Sequence, residues 1–261
     1  MFKHHSESIK LITEKLKSRK DVKAVILVGT IAQGFENDSS DIDLLIVVGE
    51  KDFKTRKANN ELKMIDKESA VYEGGYIDAK YVSLEYIRQV AIKGSDASRY
   101  AFKDAKILFS KIDNLQSVLN DAVRYPSGEK TARINAFCSE MLAWCWYACE
   151  GLKENNKYLL SCSIPNVILF GGRAVLVRNE LFYPYHKWFM KILEEAPVKP
   201  ADMMMRIKEL LRNPTKSDII LFRDSVLDFL GVDRHKLKWS EYFVMHNEMN
   251  WLYPETPIAD I

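Results

Sequence analysis

The sequence lacks any marked excess of charge of one sign. Its 38 basic and 36 acidic residues give a net charge of +2 at neutral pH. Proteins that track nucleic acid usually carry a clear basic excess, so this balance argues against DNA or RNA as the main substrate and disfavours a templated polymerase. Small acidic ligands, such as nucleotides, are compatible with it.

Cysteine is also scarce, with four residues in 261 and no CxxC pair. Three of them, Cys138, Cys145 and Cys149, recur in one apolar segment at spacings that place them on one face of a helix. Neither this spacing nor the chain length suits a disulfide or zinc framework. We therefore predict buried, reduced thiols.

No uninterrupted apolar run of membrane-spanning length occurs. The first residues lack the apolar stretch of a signal peptide. Residues 158–177 approach the required length but contain Pro165 and Arg173, which are costly in lipid. We expect a buried core helix here and a cytoplasmic protein with no membrane partner.

Two common catalytic arrangements are missing as well. The chain has no GxxxxGK[ST] loop, which would cradle phosphates, and nothing in it resembles a Ser-His-Asp or Cys-His nucleophile system. His4 and His5 are not expected to take part in catalysis. The chemistry must therefore come from other residue types.

What the first half does contain is an alternation of strand and helix patterns. Short β-rich runs predict strands at residues 23–28, 44–48, 76–82 and 105–109. Helical spacing predicts an opening helix through Ile9, Ile12 and Leu16, followed by helices at residues 53–62, 84–93 and 115–124. These elements indicate a mixed α/β domain around one small sheet.

The second half reads as helical throughout. Turn residues at 125–128 mark the change, and strand patterns nearly stop after them. Helices are predicted at residues 130–153, 158–180 (started or kinked near Pro165), 186–195, 201–212, 217–230 and 238–251. The chain is thus predicted to be an α+β protein, with a mixed domain at residues 1–126 and a helical bundle at residues 127–261.

The most informative segment joins the first two predicted strands. The first strand leads into Gly29-Thr30, and Asp41-Ile42-Asp43 opens the second strand. Side chains alternate along a strand, so Asp41 and Asp43 project from one face. Two neighbouring carboxylates repel each other, and a hard divalent cation such as Mg²⁺ removes that conflict. A bare Asp-x-Asp can also cap a strand with solvated carboxylates, which is the alternative interpretation.

The residues around this acid pair suit a phosphate. Gly29 lets the backbone approach a phosphate closely, and Thr30 offers a hydroxyl at the start of a short helix that Gly34 can end. Magnesium held by one or two carboxylates normally completes its shell with water and substrate phosphates. The segment therefore combines a phosphate cradle with a metal clamp, which points to a nucleoside triphosphate.

These residues resemble the signature of the polymerase-β-type nucleotidyltransferase superfamily. That signature is a hydrophobic residue, Gly and Gly or Ser, then a gap of roughly ten residues, then Asp-hydrophobic-[Asp/Glu]-hydrophobic. Val28-Gly29-Thr30 and Asp41-Ile42-Asp43-Leu44 fit it, with Thr30 where Ser is commoner. The resemblance implies a polymerase-β-like domain, ATP or another nucleoside triphosphate as co-substrate and two Mg²⁺ ions.

The resemblance also implies a third carboxylate on a nearby strand. Asp78 is the candidate, because it is the acid within the strand-like run after Gly74-Gly75. Members of the superfamily use this group either as a ligand of the second metal or as general base towards the attacking hydroxyl. Glu73 and Glu85 are rival choices, and a surface acid without function is the remaining alternative.

The second half contains the run Tyr183-Pro184-Tyr185-His186-Lys187-Trp188. This run and the helical architecture resemble the C-terminal domain of aminoglycoside and lincosamide nucleotidyltransferases, and by that resemblance Lys187 and Arg178 would contact the triphosphate. The alternatives are a solvated lysine at a helix end and an ion pair of Arg178 with Glu180 or another acid of the bundle. An aromatic patch of Trp144, Trp146 and Tyr147 close to Glu140 is explained mostly by core packing. One exposed ring there could stack on a base or a sugar.

The predicted function is transfer of a nucleoside monophosphate, AMP from ATP, onto a hydroxyl of a small molecule, with release of pyrophosphate. An aminoglycoside-like antibiotic is one acceptor that the resemblance suggests, and a homodimer is compatible with the sequence. Two alternatives stay open. One is a protein-nucleotidylating (AMPylating) factor of the toxin–antitoxin kind, and the other is a catalytically inactive nucleotide-binding module.

Overall fold

A computed structural model describes residues 1–249 of the chain. The chain divides into two compact units, Met1–Arg124 and Tyr125–Ile261. We call the first the sheet unit and the second the helical unit. One unit is built on a mixed sheet and the other on helices, so the predicted α+β class is confirmed.

The sheet unit contains a five-stranded sheet with the strand order β3-β4-β2-β1-β5. The strands are β1 (Val22–Val28), β2 (Ile42–Val48), β3 (Lys63–Asp66), β4 (Ile77–Ser83) and β5 (Lys106–Ser110). β2 and β4 pair in parallel, whereas β1 pairs antiparallel with β2 and β5, and β3 pairs antiparallel with β4. The four predicted strands are present. The edge strand β3 was not predicted.

Six helices accompany the sheet. They are α1 (Lys3–Lys17), α2 (Gly29–Gln33), α3 (Glu50–Ala58), α4 (Leu84–Lys93), α5 (Asp96–Tyr100) and α6 (Leu115–Ala122). The helix predicted at residues 53–62 is wrong in position. It begins earlier and ends at Ala58, because Asn60 adopts a left-handed conformation with φ of 59°. The backbone of Leu62 already bonds to β4, since its carbonyl accepts from the N–H of Tyr81 at 2.9 Å.

Each face of the sheet carries its own core. On one face, the buried side of α1 packs on alternate residues of β2, including Ile42, Leu44 and Ile46. On the other face, α4 and α6 pack on Leu45 and Val47. This alternation fixes the direction of every β2 side chain, because successive residues of a strand point to opposite faces. Asp43 therefore belongs to the face that carries α4 and α6, beyond the end of that core.

The helical unit is built mainly on two long helices. Its elements are a 3₁₀ turn (Ser127–Glu129), α7 (Lys130–Lys153), α8 (Lys157–Arg178), α9 (His186–Glu194), α10 (Met203–Arg212), α11 (Lys216–Leu230), α12 (Trp239–Phe243) and a π-helical turn (Val244–Glu248). α7 packs against α8, α11 and α12. The last predicted helix, at residues 238–251, is replaced by α12 and the π-helical turn, and its end lies outside the described residues. Cys138 and Cys145 are buried free thiols on α7, and Cys149 and Cys162 are free and half-buried.

Helix α8 is the apolar centre of the helical unit. Within residues 1–249 it alone is long and apolar enough to span a membrane, but 72% of its apolar stretch is buried inside the protein. It does not start at Pro165, as was predicted as one option. It begins at Lys157 because the side chain of Asn156 caps it, accepting from the N–H of Leu159 at 3.0 Å. Arg173 is buried on this helix, with its guanidinium over the rings of Phe137 and Tyr183.

Candidate active site in the sheet unit

The two acids of the Asp-Ile-Asp motif lie at the start of β2. Asp43 is the register partner of Val28, the last residue of β1, so the acid pair sits where β1 ends. Ile42 and Leu44 are 0% and 1% exposed and point into the α1 core. Asp43 is half-buried, and it points to the opposite face. The alternation of side chains predicted from the sequence is therefore present in β2.

Gly29 makes the closest approach to this acid pair. It begins α2 with φ of +70°, a conformation that side-chain-bearing residues rarely adopt. A Cβ atom built on Gly29 would lie 2.1 Å from Oδ2 of Asp43. Only glycine therefore fits at this position, for two independent reasons. The carboxylate of Asp43 lies directly against the backbone of the turn that precedes α2.

Thr30, the next residue, carries a buried polar atom that has no partner in the described structure. Its side chain is 7% exposed, and its Oγ1 makes no hydrogen bond to the described residues. A buried hydroxyl without a partner costs roughly 1–3 kcal/mol, so native proteins seldom keep one without a reason. A ligand that accepts from this hydroxyl would remove the cost. The turn ends at Gly34, which is left-handed with φ of 76°, as expected from the sequence.

Asp78 lies beside Asp43 on the neighbouring strand. β2 and β4 are parallel, and Asp43 and Asp78 are register partners, so both carboxylates are on the same face. Oδ2 of Asp78 accepts from Nζ of Lys63 at 2.9 Å. Oδ1 is buried and has no hydrogen-bond partner among the described residues. Asp78 therefore combines one oxygen held by a lysine with one buried oxygen that has no partner in the described structure.

Tyr76 contacts Asp41, the first of the three carboxylates. Its hydroxyl donates to Oδ2 of Asp41 at 3.1 Å. This hydrogen bond raises the pKa of Tyr76, and the charges of Asp41, Asp78 and Asp43 raise it further. The Tyr76 hydroxyl therefore lies in the negative field of this end of the sheet, with Asp41 as its direct partner. Tyr76, which directly precedes β4, was missed as a site residue because its partner Asp41 lies 35 residues earlier in the chain.

His5 and Tyr72 hold the loop that leads into Asp41. The carbonyl of Ser40 accepts from the hydroxyl of Tyr72 at 2.7 Å and contacts Nε2 of His5 at 3.1 Å. The His5 side chain is fully buried, and burial, together with the charge of His4, lowers the pKa of its imidazole. His5 therefore supports the site from outside it. That neither histidine takes part in catalysis stays a prediction from the sequence.

The donor set suits a divalent cation that shares its shell with a substrate. Within residues 1–249 no three His, Cys, Asp or Glu side chains form a closed metal-binding cluster. Mg²⁺ does not need such a cage, because one or two carboxylates plus waters and phosphate oxygens are its usual protein environment. Asp41 and Asp43 supply the carboxylates. Gly29 and the unsatisfied hydroxyl of Thr30 are the residues that would adjoin a phosphate on such an ion.

The predicted contributors from the helical unit are surface residues of that unit. Arg178 and Lys187 are both exposed. Glu180 pairs with Nζ of Lys130 at 3.2 Å, so the alternative ion pair between Arg178 and Glu180 is not the one formed. Lys187 is the second residue of α9, and its Nζ lies 5.5 Å from the centre of the Trp188 ring. Contact of either residue with a triphosphate stays a prediction from the resemblance.

Comparison with known proteins identifies the sheet unit. Residues 10–111 match the family described as polymerase beta, nucleotidyltransferase, a range that contains Gly29, Thr30 and all three carboxylates. This part of the chain is a nucleotidyltransferase domain of the polymerase beta family. The predicted resemblance of the first half to polymerase-β-type nucleotidyltransferases is confirmed. The predicted enzyme class, a nucleotidyltransferase, is confirmed with it.

Two solved structures resemble the chain at low sequence identity. A nucleotidyltransferase-like protein from Exiguobacterium sibiricum 255-15 is 12% identical, with a TM-score of 0.51 over 93% of this chain and 79% of that chain. A spectinomycin adenyltransferase AAD(9) from Enterococcus faecialis, crystallised with ATP and spectinomycin, is 11% identical, with a TM-score of 0.28 over 85% of this chain and 98% of that chain. The first likeness supports a shared fold, and the second is too distant to support more. No curated protein sequence matches the chain.

Proposed function

We propose that the protein transfers a nucleoside monophosphate, AMP from ATP, onto a hydroxyl of a small molecule and releases pyrophosphate. One observation carries the proposal. The carboxylate of Asp43 lies against Gly29, and the buried hydroxyl of Thr30 beside them has no partner among the described residues. A carboxylate pair that merely capped a strand would need neither the bare backbone of Gly29 nor an unsatisfied hydroxyl.

Each residue of the site has a definite task in this reaction. Gly29 admits a phosphate oxygen close to the backbone, and the Thr30 hydroxyl donates to that oxygen. Asp41 and Asp43 hold a divalent ion, and the Tyr76 hydroxyl orients Asp41. A bound divalent ion would supply charge neutralisation for the triphosphate oxygens.

Asp78 is placed to accept the proton of the acceptor hydroxyl. Its Oδ1 has no partner in the described part of the chain. Its register partner on β2 is Asp43, one of the two proposed ligands of the divalent ion. A general base must lie within hydrogen-bond reach of the proton that it takes. An acceptor hydroxyl that donates to this buried oxygen would meet the requirement and would give the oxygen the partner that it lacks in the described structure.

A small-molecule acceptor agrees with the near-zero net charge, because a nucleic acid would call for a basic surface. An antibiotic-like acceptor, a cytoplasmic location and a homodimer belong to this proposal. Modification of a protein hydroxyl and binding without catalysis are the competing functions.

Transfer of label from ATP tests the proposal. The protein is incubated with Mg²⁺, ATP labelled on the α-phosphate and a panel of sugars, aminocyclitols and other small alcohols, while pyrophosphate is followed. We expect label on a small molecule with one pyrophosphate per transfer. Asp43→Asn should lower turnover by more than the roughly 10–100-fold typical of positions that only support a metal ligand.

Asp38→Asn is the matched control. Asp38 is an exposed acid in the same loop, and its substitution should leave turnover unchanged. Label on protein instead of a small molecule would establish the AMPylating alternative. Full turnover in Asp43→Asn would overturn the assignment of the site.

A further inference from the structure

We propose that Lys63 takes the place of a second cation beside Asp78, so that the site holds one divalent ion instead of two. This inference rests on the proposed function, because it concerns the charges that serve the same reaction. It assigns a role to a residue on β3, the strand that the sequence did not reveal. Lys63 acts through Asp78 and is a positioning residue.

The pairing of β3 and β4 places Lys63 next to Asp78. Asp78 is directly opposite Ile65 in the register of the two antiparallel strands, and Lys63 is opposite Lys80. Lys63 is therefore the diagonal neighbour of Asp78 on the same face, a distance that a long side chain can bridge. Its Nζ reaches Oδ2 of Asp78 at 2.9 Å, and the Asp78 side chain is only 15% exposed.

The charge of Lys63 is directed at the carboxylates. The hydrogen bond and the charge of Asp78 raise the pKa of the Lys63 ammonium, and the charge of Asp41 raises it further. Lys63 therefore stays positive at neutral pH and acts on two of the three acids. A divalent ion bound to Asp78 would have to approach within a few ångströms of this ammonium, against strong repulsion.

The remaining groups fit one ion. Asp41 and Asp43 form one pair of ligands, while no group of three potential ligands assembles within residues 1–249. With Oδ2 of Asp78 held by Lys63, Oδ1 is left for the acceptor hydroxyl. A lysine in this place orients Asp78 through the hydrogen bond to its Oδ2, without adding a second ion to the site.

Counting bound ions tests this role without any turnover. Mn²⁺ is titrated into the full-length protein saturated with a non-hydrolysable ATP analogue, and electron paramagnetic resonance counts the ions in each protein–analogue complex, including the ion that the triphosphate carries; we call these the protein-dependent ions. We expect one protein-dependent ion in the unchanged protein and in Lys63→Arg, which keeps the cation. Lys63→Met frees Asp78 and should bind two.

Lys80→Met is the matched control. Lys80 is an exposed lysine directly opposite Lys63, so its removal changes the local charge equally but leaves the Lys63–Asp78 pair intact, and it should still bind one ion. Circular dichroism checks that each variant is folded.

The outcomes separate this inference from the function on which it rests. Two ions in the unchanged protein would overturn the role of Lys63 and leave the proposed function standing. One ion in Lys63→Met would also overturn it, because something other than Lys63 would then limit the site. No protein-dependent ion in any variant would contradict the proposed function itself.

Discussion

Replacing Glu140 by glutamine is expected to remove a pH-dependent loss of stability from the helical unit. Glu140 lies on α7 and is 1% exposed. Asn247, in the π-helical turn, donates to its Oε1. Burial raises the pKa of Glu140 to about 7, and the hydrogen bonds from Asn247 and Trp144 only partly counteract this. The folded protein therefore favours the neutral acid.

The magnitude follows from the two pKa values. The ordinary value is 4.5 and the folded value is about 7, and a difference of about 2.5 corresponds to about 3 kcal/mol as an upper limit. Between these values the folded state binds more protons than the unfolded state, so stability falls as the pH rises from about 4.5 to about 7 and is level above that. The glutamine side chain that replaces the acid cannot ionise, and it keeps an oxygen that accepts from Asn247.

Tryptophan fluorescence makes the assay specific. All five tryptophans lie beyond residue 143, so their emission reports the helical unit alone. Urea unfolding of the full chain at about pH 5 and about pH 8 should show Glu140→Gln close to the unchanged protein at the lower pH and more stable at the higher pH, by up to about 3 kcal/mol. Exposed Glu154→Gln should show no such difference. Equal stability of Glu140→Gln and the unchanged protein at both pH values would refute the reasoning.

Three further predictions concern the sheet unit. Gly29→Ala should abolish transfer because the new Cβ would collide with the carboxylate of Asp43. Gly34→Ala is the control: the backbone there is also left-handed, but nothing lies within 4 Å of the new Cβ. It should cost only about 1 kcal/mol of stability and keep activity. Tyr76→Phe removes the hydrogen bond to Asp41, worth about 1 kcal/mol, so half-saturation by Mg²⁺ in the transfer assay should rise about fivefold. The pKa of His5 is lower in the folded than in the unfolded protein. As the pH falls, the unfolded protein therefore binds a proton at His5 before the folded protein does. The contribution of His5 to stability is full above about pH 6.5 and is lost as the pH falls through the folded pKa. His5→Gln should flatten this decline in urea unfolding followed by circular dichroism.

The acid pair and its turn could be predicted because their pattern is local. Gly29 and Thr30 follow one apolar strand, and Asp41 and Asp43 open the next, so the alternation along β2 is enough to orient them. Residues adjacent in the sequence are therefore sufficient to predict how these side chains are oriented. The long helix α7 was predicted for the same reason, since its apolar residues are continuous.

Lys63 and Tyr76 could not be assigned roles because their partners lie far along the chain or across the sheet. β3 is a short edge strand with mostly exposed side chains, so its sequence has no apolar alternation to detect. Its pairing with β4 is what brings Lys63 to Asp78. His5 was dismissed for a similar reason, because its burial depends on a contact with Ser40 that local patterns do not encode.

The most direct test of the account is the Mg²⁺ dependence of nucleotide binding. Affinity for a non-hydrolysable ATP analogue is measured by calorimetry with Mg²⁺ and with a chelator, in the unchanged protein and in Asp43→Asn. The account predicts that the unchanged protein loses at least about tenfold in affinity without Mg²⁺, because the ion links the carboxylates to the phosphates, while Asp43→Asn responds little. Equal affinity of the unchanged protein with and without Mg²⁺, or the same Mg²⁺ response in both proteins, would contradict it.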